Sequence, residues 1–186
     1  SEYKCGLIAI VGRPNVGKST LLNRIVGQKV SITSRKAQTT RHRVMGIHTT
    51  DEAQFVFVDT PGFQTRHAST MNRAMNKRVR ETLSDTDVVM MLVEAGRLKK
   101  EDRQVMELLP RDRPLILVVN KIDQVKDRAE LMAYLQEVSA AHGFTEIVPV
   151  SAKQGSNLDE LLKTLQTHLP ENAPLFEEDD VTDQTE

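Results

Sequence analysis

The residues from Gly12 to Ser19 read GRPNVGKS and match the phosphate-wrapping pattern G-x-x-x-x-G-K-[ST]. Glycines allow a positive φ and a close approach of the backbone, so that successive N–H groups can face an anion. Lys18 would add a positive charge near the β- and γ-phosphates, and the Ser19 hydroxyl is a hard oxygen ligand suited to Mg²⁺. The segment therefore predicts binding of a nucleoside triphosphate, without separating ATP from GTP. Its candidate binding residues are Gly12, Arg13, Pro14, Asn15, Val16, Gly17, Lys18, Ser19 and Thr20, with Lys18 also a candidate catalytic residue.

A candidate metal-binding carboxylate, Asp59, ends an apolar run in the sequence VFVDTPG. An isolated aspartate there could simply cap a turn, but beside a phosphate loop it is predicted to complete a magnesium shell. Gly62 lacks a Cβ and can bring its N–H to the γ-phosphate, so loss of that phosphate would release the segment. Asp59, Thr60, Pro61 and Gly62 are thus predicted to bind the nucleotide, Asp59 as a metal ligand and Gly62 also as a catalytic residue.

A second switch segment is predicted within residues 28–43, which are polar and lack periodicity. Thr40 is the preferred hydroxyl to close over Mg²⁺ and the γ-phosphate, as a metal ligand and catalytic residue, with Thr39 as the alternative. The segment is also strongly basic. It is interpreted either as a solvated loop or as a contact for RNA, another protein or the acidic C-terminal residues. Between Val30 and Thr50 it has no acidic residue and carries Arg35, Lys36, Arg41 and Arg43.

The sequence NKID at 120–123 follows an apolar run and favours guanine as the base. Asp123 can accept hydrogen bonds from guanine N1–H and the 2-amino group, whereas adenine offers neither donor and would leave the carboxylate desolvated and unpaired. Asn120 can address the other edge of the base and brace the phosphate loop, and the Lys121 stem can cover the ring face. A short segment that follows the last predicted strand is expected to bring a backbone N–H to guanine O6. Its residues are Ser151, Ala152 and Lys153.

Short apolar runs alternate with amphipathic stretches along the chain. The apolar runs are typical of strands covered on both faces, and they lie at 7–11, 54–58, 88–93, 115–119 and 147–150. Residues 43–50 are predicted to pair antiparallel with 54–58 at a sheet edge. Helical spacing is found at 18–27, 69–83, 101–109, 127–142 and 157–168. The predicted fold is α/β, a three-layer P-loop NTPase fold with a mostly parallel six-stranded sheet, one antiparallel edge strand and helices on both faces.

The composition limits the classes of protein open to this chain. Its 186 residues are 39% hydrophobic and 27% charged, which is typical of one globular domain. The net charge of -1 points to no polyanionic partner, and the single cysteine excludes an internal disulfide and a Cys-based zinc site. Without a signal peptide or a long apolar run, a cytoplasmic location is expected. Residues 1–169 are predicted to form the domain, and 170–186, with seven acids and no base, an acidic linker or tail.

Three other features receive structural interpretations. Cys5, next to the first predicted strand, is expected to be inert, and His42 and His48 to lie on the solvated surface. The basic residues that follow the metal loop are interpreted as a solvated helix face or, alternatively, as a face that contacts the ribosome or another domain. They are Arg73, Lys77, Arg78 and Arg80.

GRPNVGKS, DTPG, NKID and SAK, in this order and after strands, resemble the GTPase domain of translation-factor-class GTPases over about residues 5–169. The stretches GRPNVGKSTLLN, QKVSITSRKAQTTRHRVMGIHT and DTPGF resemble, more specifically, the Era family of bacterial GTPases. The resemblance implies a GTP-hydrolysing switch with a role in small ribosomal subunit assembly and 16S rRNA maturation, loosely associated with the inner face of the cell membrane. The chain is expected to be a monomer. In that family a KH-type RNA-binding domain follows, and no GXXG loop is found after Pro170.

Two positions bear on the expected rate of hydrolysis. Phe63 stands where many small GTPases carry a Gln that orients the attacking water. Asn15 matches a phosphate-loop Asn that, in related GTPases, helps hold a K⁺ ion in place of an arginine finger. The resemblance thus implies slow hydrolysis that K⁺ stimulates over Na⁺. The alternatives are a GTP/GDP-dependent binding module without hydrolysis, and a P-loop ATPase or kinase.

Overall fold

The computed structural model describes residues 2–26, 32–33, 42–60 and 73–177 of the chain. The strands in these residues are β1 (Lys4–Val11), β2 (Ile32–Thr33), β3 (Arg43–Thr49), β4 (Ala53–Val58), β5 (Val88–Glu94), β6 (Leu115–Asn120) and β7 (Glu146–Pro149). They form one sheet in the order β2-β3-β4-β1-β5-β6-β7, in which β3 pairs antiparallel with β2 and β4 and the other pairs are parallel. The six predicted strands and the mixed sheet are confirmed. The two-residue β2 extends the sheet beyond the predicted edge strand.

The five predicted helices are also present in the described residues, with ends shifted by a few positions. They are α1 (Lys18–Val26), α2 (Arg73–Ser84), α3 (Lys100–Met106), α4 (Arg128–Ala141) and α5 (Leu158–His168). The Asp127 carboxylate accepts the Ala129 N–H at 2.9 Å and so caps the beginning of α4. No helix within the described ranges is long and apolar enough to cross a membrane.

The sheet is buried on both faces, which explains why its central strands read as continuous apolar runs. Successive side chains of β1 alternate between the two layers: Leu7 and Ala9 pack toward α2, α3 and α4, whereas Ile8 and Ile10 pack toward α1 and α5. Each fully buried aliphatic side chain contributes about 1.5–3 kcal/mol relative to an exposed one. The two apolar layers therefore hold the carboxyl ends of the parallel strands at one fixed edge.

Residues 170–177, the first part of the predicted linker, pack against the beginning of the sheet. Gln54, in β4, is buried, and its side-chain oxygen accepts the N–H groups of Leu175 at 2.9 Å and Phe176 at 3.0 Å. Its amide nitrogen donates to Phe176 O at 2.8 Å, and the Phe176 ring is buried in the layer of α2, α3 and α4. The first residues after Leu169 therefore pack against the domain. The predicted domain boundary after Leu169 stays a prediction.

The histidines expected at the surface are more enclosed than their sequence context suggests. His42 is 8% exposed because it packs near Asp85, with its Nε2 3.6 Å from the carboxylate. His48 is half-buried against the Phe55 ring, and this burial lowers its pKa. The expectation of a solvated position is therefore wrong for His42, whereas His48 is only partly enclosed. Cys5 is fully buried, and burial raises the pKa of its thiol, which disfavours the reactive thiolate.

Candidate nucleotide-binding site

The phosphate loop connects the end of β1 to the beginning of α1. Asn15 and Gly17 both have a left-handed backbone, with φ of 69° and 102°. A Cβ at Gly17 would collide with the side-chain amide of Asn120, so only glycine fits there. The loop N–H groups and the positive end of α1 together form a nest for an anion. Val16 is buried beneath the loop and Pro14 is half-buried, whereas Asn15, Ser19 and Thr20 are exposed.

The ammonium group of Lys18 is the clearest sign of an anionic ligand. The residue is half-buried, and its Nζ donates to Gly12 O at 3.3 Å. Burial lowers the pKa of Lys18 below its ordinary value, and the negative charge of Asp59 offsets this effect only in part. No carboxylate of the described residues forms an ion pair with Lys18. The residues present therefore fit a phosphate group, which would compensate a cation that the protein itself leaves poorly compensated.

The end of β4 is tied to the strand that carries the phosphate loop. Thr60 is buried and its Oγ1 donates to Ile10 O at 2.9 Å, while the Asp59 N–H donates to Arg43 O at 2.9 Å. These bonds place Asp59 at the same edge of the sheet as the end of β1, from which the phosphate loop begins. A carboxylate and a hydroxyl, with waters and phosphate oxygens, form the kind of oxygen shell that Mg²⁺ takes. The side chains of Asp59 and Ser19 therefore fit a magnesium ion bound next to the nucleotide phosphates.

Part of the predicted site falls outside the described residues. The predicted metal ligand Thr40, its alternative Thr39, and the predicted phosphate sensor Gly62 with Pro61 and Phe63 belong to this part. Their roles stay predictions. The same holds for the proposed K⁺ ligand Asn15, which is described but whose K⁺ role no contact tests.

Asn120 joins the phosphate loop to the predicted base-reading loop. It ends β6 and is 2% exposed. Its amide nitrogen donates to Val16 O at 2.8 Å, and its amide oxygen accepts the Ala152 N–H at 3.0 Å. The next residue, Lys121, has a left-handed φ of 66° and donates from Nζ to Asn15 O at 3.0 Å. Both residues thus fix the position of the phosphate loop relative to the base-reading loop.

Asp123 is oriented by the serine of the SAK segment. Ser151 is fully buried and donates from Oγ to Asp123 Oδ1 at 2.7 Å. Two of the three backbone amides in this segment are already used, since Ser151 donates to Ser156 O at 3.2 Å and Ala152 donates to Asn120. Within the described ranges, the Lys153 N–H has no such partner. The contact of this segment with guanine O6 stays a prediction.

Three charged residues that the sequence reasoning missed support these loops. Arg24, on α1, donates from Nε to Ala152 O at 3.0 Å and from Nη2 to Lys153 O. Glu94 and Asp102 both contact Arg13, whose side chain is buried and turned into the protein. Glu94 could have been found from the sequence, because it is a carboxylate at the end of the apolar strand β5, much as Asp59 directly follows β4. Arg24 and Asp102 could not have been found in this way, because each is one of many charged residues on a helix.

The nucleotide-binding segments lie largely within a region that matches a known family model. The model described as "50S ribosome-binding GTPase" matches residues 7–121. GTPase Era of Chromobacterium violaceum is 57% identical over all 186 residues, and GTPase Era of Neisseria meningitidis is 55% identical over 185 residues. The chain spans 63% and 60% of the length of these two relatives.

Two solved structures are similar over nearly the whole chain. A variant of Aquifex aeolicus Era bound to GDP and AlF4⁻ has a TM-score of 0.76 and 42% identity, covering 97% of this chain and 62% of that one. A complex of Era with MgGDPNP and nucleotides 1506–1542 of 16S ribosomal RNA has a TM-score of 0.77 and 41% identity, covering 98% and 62%. The chain therefore belongs to the family described as 50S ribosome-binding GTPase, and its relatives within that family are GTPase Era proteins.

Proposed function

We propose that the chain binds guanine nucleotides with Mg²⁺ and hydrolyses GTP to GDP and phosphate, and that the bound nucleotide sets its conformation. The observation that carries this proposal is the double contact of Asn120, which joins the loop that fits phosphates to the loop that fits guanine. A phosphate site alone would serve many nucleotides. The carboxylate of Asp123, oriented by Ser151, would restrict the choice to a base with two adjacent donors.

The described residues divide the work of binding. The N–H groups of residues 12–19, except Pro14, which has none, and the Lys18 ammonium would hold the β-phosphate, and Ser19 and Asp59 would hold Mg²⁺. The ion, when bound, neutralises part of the charge on the phosphate oxygens. Asp123, oriented by Ser151, would accept N1–H and the 2-amino group of guanine.

The hydrolytic step rests on residues beyond the described ranges. The Thr40 hydroxyl and the Gly62 N–H would close over the γ-phosphate and release when it leaves. With Phe63 in place of a water-orienting Gln, turnover without a partner is expected on the order of 10⁻⁴–10⁻³ s⁻¹. If Asn15 holds a K⁺ ion, phosphate release will be faster in KCl than in NaCl at equal ionic strength. Equal rates in the two salts would remove Asn15 from this role.

We also propose that the domain serves as the switch of a longer protein that acts in small ribosomal subunit assembly and 16S rRNA maturation. The support is the similarity to Era proteins, one of which binds nucleotides of 16S ribosomal RNA in its solved complex. The RNA contact is proposed for a KH-type domain following these residues, not for the nucleotide site. A cytoplasmic location, with peripheral contact to the inner face of the membrane, belongs to the same proposal.

Calorimetric titration of the nucleotide-free chain tests the binding step. GDP and GTP are expected to bind at least about 10³-fold more tightly than ADP and ATP, because the adenine edge leaves Asp123 without a donor. Equal affinity for the two bases, or binding of neither, would refute the proposal. Phosphate release from GTP with protein in excess then separates a GTPase from a binding module, since a binding module releases none.

A further inference from the structure

The two loops of the proposed site follow strands that do not pair with each other. The phosphate loop follows β1 and the base-reading loop follows β6, and β5 lies between them in the sheet. At about 4.8 Å per strand, the ends of β1 and β6 are roughly 10 Å apart. A side chain at the carboxyl end of β5 is therefore placed to contact both loops at once. That position is occupied by Glu94.

The two carboxylate oxygens of Glu94 each meet a cation from a different loop. Oε2 is 3.0 Å from Nη2 of Arg13, in the phosphate loop, and Oε1 is 3.4 Å from Nζ of Lys121, in the base-reading loop. The same Lys121 Nζ donates to Asn15 O at 3.0 Å. Glu94 thus closes a chain of contacts that runs from one loop to the other through charged groups.

These contacts form in a partly dehydrated setting. The side chains of Arg13 and Glu94 are 6% and 17% exposed, so the pair is screened much less than an ion pair at the surface. Burial by itself raises the pKa of Glu94, but the hydrogen bonds and charges of Arg13 and Lys121 hold it below the ordinary value. Glu94 is therefore ionised at neutral pH and can attract both cations.

Arg13 is fixed from its other side as well. Its Nε lies 3.2 Å from Oδ1 of Asp102, a residue with no exposed surface, and Oδ2 of Asp102 accepts the Lys99 N–H at 2.8 Å. Burial raises the pKa of Asp102, against the lowering by the Lys99 N–H and Arg13. Arg13 is thus held from two sides, and Glu94 adds a charged link between the two loops to the direct contacts that Asn120 and Lys121 make with the phosphate loop.

We propose that Glu94 is a positioning residue that holds the phosphate loop and the base-reading loop in one arrangement before the nucleotide binds. This inference rests on the proposed function, because it assumes one ligand that spans both loops. The role of Glu94 acts through Arg13 and Lys121: by restraining both loops before binding, it lowers the cost of ordering them when a ligand binds. A ligand that uses both loops benefits, and a ligand that uses only the phosphate loop does not.

The test compares GDP with inorganic pyrophosphate, both with Mg²⁺, on the nucleotide-free chain. Glu94→Gln keeps the shape of the side chain but offers an acceptor to only one of the two cations. The variant is expected to bind GDP about 10-fold more weakly, and pyrophosphate less than about 2-fold more weakly. GDP affinity is measured by calorimetry and pyrophosphate affinity by its competition with GDP. Glu137→Gln is the matched control, because it makes the same change at an exposed side chain of α4.

The outcomes separate this inference from the proposed function. A wild-type chain that binds no GDP would refute both. A wild-type chain that binds GDP, with Glu94→Gln equal to it within about 2-fold, refutes the positioning role alone. Equal losses for GDP and pyrophosphate also refute it, because Glu94 would then act on the phosphate loop only. If Glu94→Gln does not fold, Glu94→Asp replaces it: it keeps the charge but is too short to span both cations, so the same unequal losses are expected.

Discussion

Replacing Asn120 by alanine tests the physical link between the two halves of the site. The side chain is 2% exposed and makes two hydrogen bonds, to Val16 O at 2.8 Å and from the Ala152 N–H at 3.0 Å. Removing it leaves one buried acceptor and one buried donor unsatisfied, at about 1–3 kcal/mol each. Because both groups lie near a loop that water can reach, we expect Asn120→Ala to lower the free energy of unfolding by about 2–4 kcal/mol.

The measurement is urea denaturation of the nucleotide-free chain, so that any loss of ligand binding does not enter the result. Asn23→Ala serves as the control, because Asn23 is exposed on α1 and alanine is the better helix former, so little change or a slight gain is expected. GDP affinity should fall at least about 10-fold in Asn120→Ala and stay unchanged in the control. An unfolding free energy within about 0.5 kcal/mol of wild type would show that the two bonds do not hold the loops together, and the reasoning would be wrong.

Three further predictions concern the site. Asp123→Asn should weaken GDP and favour xanthosine diphosphate, because the amide can donate to the 2-oxo group of xanthine; unchanged GDP affinity by calorimetry would reassign Asp123. Ser151→Ala should weaken GDP about 5- to 10-fold, because Asp123 loses the donor at 2.7 Å that orients it; an unchanged dissociation constant contradicts this. The pKa of Glu94 is raised by burial but held below its ordinary value of 4.5 by Arg13 and Lys121. Its charge therefore stabilises the fold above pH 4.5 and loses this effect as the pH falls through the lowered pKa. The difference in unfolding free energy between wild type and Glu94→Gln should accordingly shrink on acidification, and a difference that is the same at about pH 7 and about pH 3 would refute this assignment.

The fold was predictable because the strands are buried on both faces. A strand such as β6 has no polar position until Asn120, and its continuous apolar run is hard to mistake for a surface helix. The strand β2, with two residues, is too short to show any period, and it pairs only with the antiparallel β3. The burial of His42 could not be predicted either, because Asp85 approaches it from a distant part of the sequence.

The site divides along a similar line. The roles of Gly17 and Asp123 could be predicted from local patterns, because binding a phosphate or a guanine requires particular residue types at particular spacings. The supports of the site could not. Arg24 and Ala152 are 128 residues apart in sequence, and nothing near Arg24 indicates that its guanidinium meets the carbonyl of a loop. A polar side chain is buried where it finds a hydrogen-bond partner, and a partner that is distant in sequence cannot be predicted from the local pattern.

The two cations of the phosphate loop show why this distinction matters for function. Arg13 and Lys18 carry the same charge and are five residues apart, and the sequence predicts that both bind the phosphates. The structure separates them by their partners: Arg13 faces the carboxylates of Glu94 and Asp102, whereas Lys18 donates to the carbonyl of Gly12. A buried cation between two carboxylates attracts no further anion, but a cation without an ion pair lowers its free energy when a phosphate arrives. We therefore expect an anion to bind at Lys18 and not at Arg13, because Glu94 and Asp102 already compensate the charge of Arg13.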